Sequence, residues 1–482
     1  MLNNLKEKFS EKIKLCNSNK KYYKNIEIIE KKTQNNQIKS GFIITKIGPE
    51  GILLDTPGTY IFANDIVWSP KEIIAILIIG DNIILDMNNF SVTCINPNKL
   101  ETIGINSSFC KNLIIKNGNI IGMGFNGIIS EICENVTIEN IIIEKINTNN
   151  IAKYTTPSGI KLSECTNIKI NKCIVKNITV RVGNFTAFDI VLSNNSIIKN
   201  CLVNKCVNLD GALVGYSQYL CYDSIIENSN ACNLQTFFGN NTKTQGHTCI
   251  GFVPFFSENL KFLNCNAKNI IGTCDDAHGF SMFVCVGPIL ISKCTVNNVR
   301  DGVGKNTGAK ATGIEIYAEN VIVKDCIVSN IMAINPQDKQ CTGFSVSGSV
   351  GQEAKDVKFI NCKAINVNVY NKNKKQNSCI GYGTGFGSPP DPRPTFQYPC
   401  SNITYEKCYA KKCQVGFDSW WQKNSLWKNN ISCDCGISIL NLNNSQRTVS
   451  CNLCSECNPP IIVTLDNVAK NNKFINNNAF YS

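Results

Sequence analysis

A small residue followed by alternating apolar positions recurs along this chain, and that repeat limits the folds open to it more than any other feature. It appears as GIIS at Gly127, GIKL at Gly159, AFDI at Ala187 and GFVP at Gly251. It continues as GFSM at Gly279, GIEI at Gly313, GFSV at Gly343, GYGT at Gly381 and GFDS at Gly416. Each copy leads into a second short strand and then an element ending in Asn or Lys and Cys, as in NIKINKCIVKN, NLKFLNCNAKN and VKFINCKAIN. The period is irregular, roughly 24–40 residues, in the range of solenoids. Strands this short cannot hold a hairpin sheet by themselves. Stacked coil on coil at about 4.8 Å, they bury one continuous apolar column. The spacing predicts that Cys173, Cys265, Cys294, Cys326, Cys362 and Cys408 stand one above another inside it. Asn residues beside them are expected to ladder at the turns through their side-chain amides.

The segment PGTYIFANDIVWSPKEIIAILIIGDNIILDMNNFSV, residues 57–92, resembles the first coils of right-handed parallel β-helix proteins of the pectin-lyase-like superfamily. The repeats carry that resemblance over nearly the whole chain. Its Ile/Asn/Lys-rich, Cys-laddered style also resembles uncharacterised β-helix proteins of mimivirus-like giant DNA viruses. The implied fold is all-β, a right-handed parallel β-helix over residues 39–482 with Cys-rich terminal coils at 430–460. Ahead of it, Leu5, Phe9, Ile13 and Cys16 fall at helical spacing. Residues 1–38 are therefore expected to form a short helical cap over the first open sheet edge, with a partner-binding arm as the alternative.

The net charge of +12 comes from 48 Lys and Arg against 36 Asp and Glu, and much of the excess lies in the first 40 residues. A solvated basic end is expected rather than a nucleic-acid surface. The N-terminus has no apolar core of a secretory signal, and the run IIAILIIG is far short of a membrane span. With 27 cysteines, the expectation is a cytoplasmic protein of a reducing compartment (host cytoplasm or virion, if the viral resemblance holds) whose thiols are buried as small hydrophobes.

Chemistry is most concentrated in GTCDDAHGFSMF, Gly272 to Phe283. Asp275 and His247 each lie four residues before their coil's glycine, and Lys310 lies three before Gly313. Two residues after the small residue come Lys161, Asp189, Ser281, Glu315, Ser345 and Asp418, which strand alternation places outward as a polar groove. One reading is a polar turn capping its own backbone, which the position in the repeat favours. The other follows from the resemblance. Inverting polygalacturonases use paired carboxylates, which implies Asp275 and Asp276 as acid and base, Glu315 as a second carboxylate, and His278, His247 or Lys310 assisting. Against it, DDAHG is compressed into five residues, and the Gly-His-Gly and basic elements of those enzymes are missing.

Two further groups stand near the C-terminus. Cys433, Cys435, Cys451, Cys454 and Cys457 offer enough thiolates for a tetrahedral zinc site, although Cys433 also fits the interior ladder. Trp420, Trp421 and Trp427 fall within eight residues, either as plugs of a terminal coil or, with Asp189 and Asp418, as a sugar-binding surface. GMGFNG at 122–127 matches a dinucleotide fingerprint by letter only, since no helix is expected after it. The expected function is a non-catalytic structural or binding protein that presents a loop-lined face to a glycan or protein partner. A polysaccharide hydrolase or lyase is the alternative, and a zinc-stabilised interaction module a second one. No cofactor is required beyond that zinc, and an oligomer is left open.

Overall fold

The computed structural model describes residues 41–480 apart from 97–100, 147, 149–155, 238–247, 273–275, 302–309, 334–340, 347–352, 370–378, 385–399, 414, 419–421, 434, 436, 442–460, 464–472 and 476–477. The expected N-terminal cap lies outside the described residues. The 43 described strands join in parallel, each pairing with the equivalent strand one coil away. The chain is a right-handed parallel β-helix. A typical coil has a first strand Ser158–Ser163, a second Thr166–Asn171 and a third Ile174–Val180. The repeat sets the register. Ile128, Ile160, Phe188, Tyr216, Phe252, Phe280, Ile314 and Phe344, each one past the small residue, are rung-to-rung partners. Gly215 heads one of these coils, which the sequence repeat passes over.

Interior side chains stack at the rung spacing. Phe188, Tyr216, Phe252 and Phe280 lie face to face with ring centroids 4.8, 4.7 and 4.5 Å apart. Each buried ring contributes about 1.5–3 kcal/mol by leaving water. The small residue at the head of the first strand is required because a neighbouring coil passes close by. A Cβ on Gly279 would meet Val296 Cγ1 at 2.5 Å and the Gly313 carbonyl oxygen at 2.6 Å.

The corners explain the cysteines. Strand registers align Cys173, Cys201, Ser229, Cys265, Cys294, Cys326, Cys362, Cys408 and Asn430 after the second strands, all buried. A second column, Cys110, Cys133, Cys165, Ser193, Cys221, Ser257 and Cys285, follows the first strands. The position needs a small side chain that can also accept a hydrogen bond. Cys265 N–H donates to Cys294 Sγ at 3.4 Å, and Cys201 N–H donates to Ser229 Oγ at 3.2 Å. Thiol and hydroxyl alternate here because both satisfy an otherwise orphaned buried N–H.

Four positions per coil adopt positive φ, a region costly for most residues but tolerated by Asn. Three of the four columns hold Asn, with Asp or Lys at some rungs. Asn112, Asn135, Asn167 and Asn195 have φ of 57°, 57°, 54° and 53°. They form an amide ladder, with Nδ2 of each donating to Oδ1 of the rung before at 2.8, 2.8, 2.9 and 2.7 Å, starting from Asn82. The fourth column, at the corner between first and second strands, does not. It holds Phe109, Ile132, Glu164, Leu192, Leu220, Phe256 and Val284, all with φ between 48° and 57°. A bulky apolar residue there costs about 1–2 kcal/mol.

Candidate functional site

The outward column two residues past the small residue is a real column. Lys161 pairs with Asp189, Asp189 with Ser217, Ser217 with Val253, and farther along Ser281 with Glu315 and Glu315 with Ser345. Gly383 and Asp418 continue it, the Asp418 side chain lying outside the described residues. The expectation of an open polar groove needs correcting, however. Asp189, Ser281, Glu315 and Ser345 are buried, and Val253 interrupts the polar run. Alternation decides which side of a strand a residue takes, not what lies over it.

The column's polar centre joins two adjacent coils, through strands Ala277–Cys285 and Ala311–Lys324. Glu315 is its hub. Its Oε1 accepts from Lys310 Nζ at 2.6 Å and from the Tyr317 hydroxyl at 2.6 Å. Its Oε2 accepts from Ser281 Oγ at 3.3 Å and lies 3.1 Å from His278 Nδ1. The last contact is an ion pair rather than an aligned hydrogen bond, since Nδ1 has no partner of hydrogen-bond geometry. On the other edge of the imidazole, Nε2 is 3.6 Å from Asp276 Oδ2. Asp276 Oδ1 accepts the Lys310 backbone N–H at 2.9 Å. Asp276 thus caps the backbone of the next coil, where the turn reading had it capping its own.

Burial opposes every charge in this cluster, and the partners outweigh it. For His278, desolvation works against protonation, but the Glu315 and Asp276 carboxylates raise the imidazole to about 9. For Glu315, burial favours the acid, but Lys310 and His278 hold the carboxyl well below its usual range. Asp276 is likewise lowered, by His278 and Lys310 against its own burial. Lys310 is raised despite burial, chiefly by Glu315, and Tyr317 is raised by burial and by the same carboxylate. At neutral pH two cations face two anions, a balanced network of the kind buried charges require.

A glycosidase's general acid is usually a carboxyl that keeps its proton, and the Asp276 and Glu315 carboxyls are both lowered. Asp189 does have a raised carboxyl, because burial outweighs the Lys161 ammonium 3.9 Å away. It stands four rungs from Glu315, about 19 Å at about 4.8 Å per rung, well beyond the separation of a glycosidase pair. Asp275 and His247 lie outside the described residues.

Aromatic side chains flank the cluster. Phe283 packs edge-on to Tyr317 with centroids 5.6 Å apart, and Phe255 lies 5.4 Å from Phe283. Lys310 Nζ sits 5.2 Å from the centre of the Tyr317 ring. Sequence reasoning missed both Phe283 and Tyr317. Aligning the coils four residues past the small residue would have found them, since that position reads Tyr219, Phe255, Phe283 and Tyr317.

The C-terminal candidates are placed only in part. Trp427 is fully buried, stacked on Tyr405 with centroids 3.9 Å apart, so it is a core plug and not a sugar platform. Trp420 and Trp421 lie outside the described residues. Cys435 is buried and donates to the Cys433 carbonyl at 3.4 Å, while Cys451, Cys454 and Cys457 lie outside the described residues. Among the described residues no three His, Cys, Asp or Glu side chains gather as a metal site. No described helix is long and apolar enough to cross a membrane.

No protein-family model and no curated protein matches this sequence. Solved structures do. A double mutant of the tailspike protein of E. coli bacteriophage HK620, in complex with a pentasaccharide, is 11% identical with a TM-score of 0.54, over 88% of this chain and 72% of that one. A single mutant of the same tailspike, also with pentasaccharide, gives 11% identity and a TM-score of 0.52 over the same shares, 88% and 72%. The catalytic domain of a GH87 alpha-1,3-glucanase in complex with tetrasaccharides is 12% identical over 91% of this chain and 71% of that one, with a TM-score of 0.47. The likeness is one of fold.

Proposed function

We propose that this β-helix is a glycan-binding protein that holds its ligand without cleaving it. The ligand would lie on the first-strand face where the Asp276, His278, Lys310 and Glu315 cluster meets the Phe283 and Tyr317 rings. The observation that carries this reading is that junction: a rigid, charge-balanced set of hydrogen-bonding groups abutting aromatic faces. Sugars are bound in that way, their hydroxyls by fixed polar groups and their C–H faces by rings. His278 and Glu315 belong to strands and Asp276 and Lys310 each directly precede one, which fixes their positions before a ligand arrives. Binding rather than hydrolysis is favoured because both carboxyls are lowered, while the Lys310 and Asp276 side chains remain about a quarter exposed to meet a hydroxyl. The glycan complexes of the structurally similar tailspike are consistent with this use of the fold.

The test is binding of the purified chain to a panel of acidic and neutral oligosaccharides, with reducing-end release measured in parallel. A bound glycan should lose about tenfold or more in affinity on Phe283→Ala, the equivalent of about 1.4 kcal/mol. No reducing ends should appear. Binding indifferent to Phe283→Ala and Tyr317→Phe would overturn the placement. Reducing-end release that Glu315→Gln abolishes would replace binding by catalysis.

A further inference from the structure

The corner column with positive φ sets a puzzle that the glycan reading does not touch. Everywhere else in the coil this backbone conformation is given to Asn, Asp or Lys, yet here it holds Ile132, Leu192, Leu220 and Phe256 with φ of 56°, 50°, 51° and 48°. Phe256 packs edge-on to Tyr219 and to Phe283, with centroids 6.0 and 6.5 Å apart, yet these contacts leave Phe256 and Tyr219 open to solvent. Leu192 is 47% exposed and Phe256 45%, and beside them Tyr219 is 41% and Tyr222 43% exposed. Strained backbone that displays apolar side chains to solvent points to something that covers them.

We propose that this stripe packs against the same stripe of a second copy of the chain, forming a two-fold homodimer. Its area fits. At a full side-chain area of about 180 Å² the four most exposed residues leave roughly 320 Å² uncovered, and the half-buried Ile132, Val191, Leu220 and Phe255 bring this to about 500 Å². A standard interface takes about 800 Å² from each partner, of which about 65% is apolar in homodimers, or about 500 Å². Its charge fits too. In a chain of net charge +12, neither this column from Ile132 to Phe256 nor the outward positions flanking it hold a lysine or arginine, and the charged residues are Glu164 in the column and Glu131, Glu134 and Glu258 beside it. Two copies can therefore meet here without setting cation against cation. The geometry is self-complementary, because both stripes repeat at the same rung spacing of about 4.8 Å, so the side chains of one copy fall between the rungs of the other.

The experiment is the mass of the full chain in solution by analytical ultracentrifugation across a concentration series, for the wild type and for Leu192→Asn/Leu220→Asn. Asn suits the backbone at both positions, so the double variant keeps its coils, which its far-UV circular dichroism checks. The wild type should show the mass of two copies at micromolar concentration, and the double variant that of one, with dissociation at least 100-fold easier. Ile322→Asn/Ile327→Asn, on apolar positions 37% and 38% exposed outside the stripe, should leave the dimer intact. A wild type that stays monomeric at every concentration overturns the proposal and leaves the stripe to a different protein. An oligomer of any size that survives Leu192→Asn/Leu220→Asn overturns it as well. Leu192 and Leu220 lie two or more coils from Phe283 and three or more from Glu315, so glycan affinity per chain should not change, and the two proposals fail separately.

Discussion

Replacing Glu315 by Gln removes one charge from the middle of the cluster, and the imidazole of His278 should report it. In the wild type the 3.1 Å contact from Nδ1 to Glu315 and the 3.6 Å contact from Nε2 to Asp276 overcome burial and raise His278 from 6.5 to about 9. That rise corresponds to about 3 kcal/mol favouring the protonated folded state. Because the folded value lies above the unfolded one, this stabilisation is complete below about pH 6.5 and is lost as the pH rises through about 9. Glu315 behaves oppositely. Its carboxyl is lowered in the fold, so its contribution is present above the unfolded value and lost only in strong acid. The two coils should therefore be most stable between about pH 5 and 6.5. In Glu315→Gln the amide carries no charge, His278 faces Lys310 without the anion between them, and its titration should drop by about two units or more. The variant should also lose about 3 kcal/mol at pH 6, in the range for breaking a buried pair. The chain has only two histidines, so NMR of imidazole-labelled protein resolves them, and His278→Gln assigns the pair. A wild-type His278 that titrates near 6.5, or one that stays near 9 in Glu315→Gln, would refute the account of the cluster given above.

Two further outcomes test the ladders. Asn167→Ala should destabilise by about 2 kcal/mol, since it breaks the bonds to Asn135 and Asn195 and leaves Ala at φ 54°, whereas Asn167→Gly should recover the backbone part of that loss in chemical denaturation. Cys294→Ser should fold with a cost near 1 kcal/mol because hydroxyls already serve at Ser229, but Cys294→Val should cost about 2–3 kcal/mol by orphaning the Cys265 N–H, read from the same unfolding curves.

The stack was legible in the sequence because its demands are periodic. A small residue, glycine or Ala187, heads the first strand where a neighbouring carbonyl comes within van der Waals reach, and cysteine or serine closes most corners where a buried N–H needs a small acceptor, so both recur along the coils. Gly215 escaped because its copy, GYSQ, puts polar Gln218 at the inward position that holds Leu162, Ile190, Met282 and Ile316 in other coils. The cluster was legible only by column. The alternation rule put Ser281 and Glu315 together and brought Lys310 near, but the contacts that join the two coils run between residues 34 or more apart, such as Asp276 with the Lys310 N–H. Tyr317 looked like one more alternating strand residue, and nothing in its local sequence shows that its hydroxyl closes on a carboxylate two positions away. Burial of the outward column was invisible for a different reason: it depends on what lies above the sheet, which no strand pattern encodes.

The amide ladder gives the molecule a direction. From Asn112 to Asn195 every side-chain amide donates toward the earlier coil, and those from Asn82 to Asn167 accept from the later one. The dipoles add along the axis instead of cancelling. Any plane cut across this part of the stack therefore exposes acceptors on its N-terminal fragment and donors on its C-terminal fragment. Two like faces repel, and two unlike faces match. Fragments produced by cleavage between coils are thus fitted to rejoin head to tail and in no other sense, much as a severed filament anneals only at opposite ends.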